Sequence, residues 1–146
     1  MKQRFNQGIF KPIHREKYKG TTPIKYRSSL ELKVFRWLDN NQNIISWGSE
    51  SVIIPYISPV DNKLHRYFVD LNITLLNNNV YEKYLIEIKP LSQAIPPKKS
   101  LKKKASTILY ETVMYSINQA KWEAARKWCA LHNYKFLIFT EKHIKE

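Results

Sequence analysis

The sequence predicts an α/β domain in which a run of strands is bracketed by two helices. Three observations carry this. Leu30, Val34, Trp37 and Leu38 recur at the spacing of one helical face. Between Ile44 and Lys89, apolar runs are separated by turn signals at Asp61-Asn62 and Asn77-Asn78-Asn79. Met114, Ile117, Ala120, Ala124, Ala125, Trp128 and Leu131 then mark the inner face of a second, longer helix. The 146 residues suit one domain, and a chain of this size needs no disulfide or metal staple to hold a core.

The first helix is expected over 29–40. Ser28-x-x-Glu31 reads as a capping box at its start, and Asn40 and Asn41 end it. Strands follow over 44–47 and 51–57, the second stopped by Pro59. Residues 65–76 and 80–89 form two further strands around the asparagine turn, where asparagine tolerates positive φ. Pro90, Pro96 and Pro97 close the sheet region. The long helix should span 108–132 with Asn133 as a left-handed cap, followed by a strand over 135–139 and a short terminal helix capped by Thr140.

Charge is the strongest compositional signal. There are 25 Lys and Arg against 12 Asp and Glu, a net +13 that points to a polyanionic partner. Residues 1–27 hold eight of these cations and one acid, with Gly8, Pro12, Gly20 and Pro23 breaking regular structure. We read this segment as an extended basic arm, partly ordered by Phe5, Phe10 and Tyr18, with the rest of the domain over 28–146. A second basic cluster, Lys98, Lys99, Lys102, Lys103 and Lys104, lies in a loop opened by two prolines. Both suit phosphate contacts, which give affinity without sequence readout. The lone Cys129 excludes an internal disulfide and a cysteine zinc cluster, and one unpaired thiol suits a reducing compartment. No apolar stretch reaches the ~20 residues of a membrane span, and the basic N-terminus lacks the apolar segment of a secretory signal.

The hairpin register brings acids together. With Asn78-Asn79 as a two-residue turn, Val69 faces Ile88, Leu71 faces Ile86 and Ile73 faces Tyr84, which makes one apolar face. Asp70 then lies opposite Glu87, with Lys89 two residues further along the same face. Facing carboxylates repel, and a hard divalent cation such as Mg²⁺ resolves the conflict. Such an ion polarises phosphoryl oxygens and acidifies bound water, and Lys89 would meet developing charge on phosphorus. On spacing alone, the same residues also fit a solvated ion pair beside a basic loop.

The run Phe68-Val69-Asp70 … Ile86-Glu87-Ile88-Lys89 resembles the PD-(D/E)xK nuclease superfamily. Most of the chain, from Tyr26 to Glu141, is similar to the tailed-phage head completion nucleases and so to the TnsA-type transposon endonucleases. Tyr26-Arg27-Ser28-Ser29-Leu30-Glu31, Trp47-Gly48-Ser49-Glu50, 54–59, 65–70, Glu87-Ile88-Lys89-Pro90, 118–122 and 136–141 carry this likeness. The resemblance implies a restriction-endonuclease-like core, a mixed central sheet flanked by helices. It implies that Asp70 and Glu87 hold Mg²⁺, or Mn²⁺ as a substitute, with the carbonyl of Ile88. Lys89 would be the catalytic lysine, and Glu31 an extra acid that orients water or a second ion, beside its capping role. Val69 stands where the superfamily often has proline.

The expected function is metal-dependent DNA hydrolysis, endo- or exonucleolytic, in phage head completion after packaging, with DNA and head or portal-vertex proteins as partners. The expected location is the virion, and the host cytoplasm during assembly. The alternative is a structural DNA-binding head completion protein with a vestigial nuclease fold. A transposon-type end-cleaving subunit is a third reading, for which the chain leaves little room for a docking domain.

Gln93 and Lys121 are further candidate DNA contacts. Trp122, Trp128 and Cys129 are assigned to the core, and His65 is read by parity as a core histidine. His14, His132 and His143 lack ligand spacing, and Glu50 has no chemical role assigned.

Overall fold

The computed structural model describes residues 7–144. In chain order these hold β1 (Gly8–Phe10), a 3₁₀ turn at Arg15–Lys17, β2 (Ile24–Tyr26), α1 (Ser29–Asn40), β3 (Ile44–Ser49), β4 (Ile53–Ile57) and β5 (Leu64–Phe68). Then come β6 (Leu71–Asn77), β7 (Val80–Ile88), the one-turn α2 (Leu91–Ala94), α3 (Ala105–His132) and β8 (Lys135–Phe139). The central sheet has the order β3-β6-β7-β8. Its first three strands are antiparallel and β8 runs parallel to β7, so the sheet is mixed.

Two helices cover its two faces. On one side Val34, Phe35 and Leu38 of α1 pack with Trp47, Leu71, Ile73, Ile86 and Ile88. On the other, Trp122, Ala125 and Cys129 of α3 pack with Leu85, Tyr67, Val69 and Ile54. Strand alternation makes this possible: Leu85 and Glu87 point toward α3, while Ile86 and Ile88 point toward α1.

The hairpin forms in the expected register, with Leu71 paired to Ile86 and Ile73 to Tyr84. Asn78 and Asn79 take φ of 49° and 64°, the left-handed pair that a tight hairpin turn needs. The single strand expected over 65–76 is instead two. After Phe68 the chain bends, so β5 pairs with β4 in a separate ribbon and β6 restarts at Leu71. Two assignments change as a result. Val69 packs on the α3 side rather than opposite Ile88. His65 shares the Tyr67 face by alternation, but it lies toward the turn end of the ribbon, where it is exposed and hydrogen-bonded to Asp61.

From residue 7 onward the basic segment is built into the fold. Phe10 and Ile24 are buried in the α1-side core, and Tyr18 meets Trp47 edge-on with centroids 4.8 Å apart. Lys17 Nζ donates to the carbonyls of Leu38, Asp39 and Asn41 at 2.7–2.9 Å, closing the C-terminus of α1. The Asp39 carboxylate in turn accepts from the N–H groups of Ile13 and His14. Phe5, Lys2 and Arg4 lie outside the described residues.

Ser28 caps α1, its Oγ accepting from Glu31 N–H at 3.1 Å, and Asn133 caps α3 with φ 61°. The buried line of α3 is Asn118, Trp122, Ala125 and Cys129, so Leu131 faces out at 83% exposure. A polar residue in the line, with apolar ones beside it, places the true inner face about one position from the apolar stripe of the sequence. After β8, residues 141–143 form a turn on Thr140 rather than a helix, with His143 N–H donating to the Thr140 carbonyl.

Candidate active site

The site forms where β6 stops and β7 continues. Asp70 sits in the bend just before β6, and its Oδ2 accepts from the Ile88 N–H at 2.7 Å. A side-chain oxygen thus satisfies a strand N–H where backbone pairing with β6 has ended. This pins the carboxyl against the end of β7, beside Glu87.

Glu87 is 5% exposed and held from the α3 side. Tyr67 O–H donates to its Oε2 at 2.5 Å, and Trp122 Nε1 donates to the same oxygen at 3.0 Å. Each acid is therefore tethered to protein donors through one of its two oxygens, a preorganised pair.

The electrostatics follow from that closeness. The Asp70 carboxyl is held well above its ordinary value, first by burial, then by the hydrogen bond and charge of Glu87. The Ile88 N–H pulls the other way, and the charge of Glu31 adds to the rise. Burial, then the Glu87 charge, pushes the Tyr67 hydroxyl up, so it stays a donor.

Glu31 is within electrostatic reach of Asp70, and its carboxylate also accepts from the Arg27 N–H, one residue before the cap. Ser28 caps the helix as expected, while the Glu31 carboxylate reaches the backbone one residue before the cap rather than the cap N–H itself. Glu50 is part of the scaffold. It adopts φ 54°, its N–H donates to the Asp70 carbonyl at 3.1 Å, and its carboxylate pairs with Arg27 at 2.6 Å. A non-glycine residue in this region is strained, and such strain gathers at functional sites. Tyr67, Trp122, Arg27 and Glu50 are site residues the sequence did not announce. Alternation of Tyr67 with Val69 was the one available signal.

Lys89 lies just past β7, where its N–H donates to the Phe139 carbonyl, and its side chain lines a cleft of about 530 Å³ between the 92–103 segment and α3. Gln93, Lys98 and Lys103 line the same cleft. Lys98, Lys99, Lys102 and Lys104 are exposed, whereas Lys103 pairs with Glu111 at 2.9 Å. Lys121 stands over the rings of Tyr56 and Tyr67 rather than free in solvent. Burial pushes the Cys129 thiol up to about 11, so it is inert packing.

Among the described residues no three His, Cys, Asp or Glu side chains form a ready metal cage. The donors present are the oxygens of the Asp70–Glu87 pair, with Glu31 near. Two adjoining acids whose charges oppose each other fit a hard cation, which prefers oxygen ligands.

A mixed sheet between two helices, with an aspartate at a strand break and Glu-x-Lys on the neighbouring strand, defines a restriction-endonuclease-like nuclease fold of the PD-(D/E)xK type. The sequence matches the TnsA-like endonuclease N-terminal domain over residues 41–141. It is also 35% identical to the head completion nuclease of Enterobacteria phage T4 over 145 residues, covering 94% of this chain and 93% of that protein. The chain belongs to the TnsA-like endonuclease family.

Proposed function

We propose that this chain is a metal-dependent DNA nuclease that acts in phage head completion, processing packaged DNA so that a head can receive its tail. The observation that carries the reading is the Asp70–Glu87 pair, two acids each tethered through one oxygen. The likeness to the T4 head completion nuclease supplies the biological setting.

Asp70 and Glu87, with the carbonyl of Ile88, would hold Mg²⁺, or Mn²⁺ in its place. Such an ion supplies Lewis acidity toward a phosphoryl oxygen and lowers the pKa of bound water. The chain's own residues do the rest. Tyr67 and Trp122 keep Glu87 from turning away. Glu31 orients the attacking water, and Lys89 meets the charge that grows on the scissile phosphate. Lys98, Lys99, Lys102, Lys103 and Lys104, with Gln93 and Lys121, would meet DNA backbone as it approaches Lys89 from the cleft side. Partners beyond DNA are head or portal-vertex proteins, met in the host during assembly.

The test uses linear and circular duplex DNA, with and without Mg²⁺, and the Asp70→Asn and Lys89→Ala variants. Cleavage by the wild type alone, only with metal, is the expected result. Circular DNA separates endo- from exonuclease action. Undiminished metal-dependent cleavage by Asp70→Asn would overturn the site, and tight DNA binding without any cutting would leave a structural DNA-binding protein.

A further inference from the structure

The cleft beside Lys89 has features that phosphate hydrolysis does not require. Asn118 lines it from α3 and is 4% exposed, yet its side-chain amide has no hydrogen-bond partner among the described residues. The amide opens onto the cleft, so its donors and acceptor are free to meet a ligand there. Tyr110, 66% exposed, and Tyr115 line the same cleft, together with Lys89 and Lys98. At about 530 Å³ it falls within the ~300–1,000 Å³ range of small-molecule sites.

We propose that this cleft receives a single unstacked nucleotide, so that the enzyme's substrate is DNA with a frayed or single-stranded end. This rests on the nuclease reading and names the substrate of the same site. Bases inside a duplex are stacked and cannot enter a cleft, whereas a splayed base offers its face to an aromatic ring and its edge to an amide. Tyr110 supplies the ring, Asn118 reads the edge, and the lysines hold the flanking phosphates. The pocket adjoins Lys89, so a seated end places the next phosphodiester toward the acids.

The inference is tested by binding in EDTA, where nothing is cut. The probes are a short oligothymidylate with a terminal 2-aminopurine and a duplex whose ends are closed by hairpin loops. Wild type should bind the single strand at least tenfold more tightly than a closed duplex of equal phosphate count, and quench the fluorophore. Asn118→Ala and Tyr110→Ala should each weaken single-strand binding about tenfold and leave closed-duplex binding unchanged. Tyr110 is on the surface, so its variant folds even if that of Asn118 does not. Equal affinity for the two probes, or undiminished single-strand binding by Tyr110→Ala, overturns the proposal. Cleavage assays with Mg²⁺ are read separately. Metal-dependent cutting without single-strand preference defeats only the pocket, and single-strand preference without cutting defeats only the nuclease.

Discussion

At the residue scale, Asp70 ties stability to pH. Its carboxyl is held above its ordinary 3.8 by burial and then by Glu87, so the folded protein prefers it protonated. A raised pKa gives stability that is complete below about 3.8 and is lost as pH climbs through the folded value. In metal-free buffer, wild type should therefore lose melting temperature relative to Asp70→Asn as pH rises from about 4. Parallel melting curves across that range would show that the two acids do not oppose each other. Asp70→Ala is a poorer control than Asp70→Asn, because it also orphans the Ile88 N–H, at about 1–3 kcal/mol. The closeness of Asp70 to Glu87 was legible in the sequence because the hairpin register leads to Leu71 opposite Ile86, one residue short of that pair, although Asp70 itself lies in the bend before β6. Trp122, far along the chain from its partner, was not: no local pattern says which way an indole N–H points.

At the element scale, two devices set the frame. The asparagine turn needs positive φ at both positions, so Asn79→Ala should cost about 1 kcal/mol and Asn79→Gly nothing or slightly less than nothing. Urea unfolding of the pair decides this, and equal losses would place the cost elsewhere than in the backbone. Lys17 closes three carbonyls at the end of α1, so Lys17→Met should remove about 2 kcal/mol while the folded fraction keeps wild-type DNA affinity. The turn was readable because its chemistry is local. The Lys17 cap was not, since a lysine in a glycine- and proline-broken segment looks like solvated charge until β1 and β2 fold it against the helix. The strand break at Asp70 escaped for a related reason. Alternation runs unbroken through residues 65–76, and only the competing pairing of β4 with β5 divides it.

At the scale of the whole molecule, +13 of charge predicts how DNA binding responds to salt. If about six phosphates are neutralised, affinity should fall about 10³-fold between roughly 50 and 200 mM salt. Replacing Lys98, Lys99, Lys102 and Lys104 by alanine should flatten that slope by about one unit for each phosphate no longer neutralised, equally for all sequences. A slope unchanged by the fourfold variant would move the DNA track away from this loop. Composition showed the charge, while its distribution around the sheet needed coordinates.

The parallel pairing of β8 with β7 carries a last consequence, for biosynthesis. A ribosome releases Asp70, Glu87 and Lys89 well before α3 and β8. A nascent chain halted after Lys104 owns the acids but lacks the indole that steadies Glu87 and the strand that covers the edge of β7. On the nuclease reading, a Glu87 held by both of its donors therefore arrives only once α3 has been made.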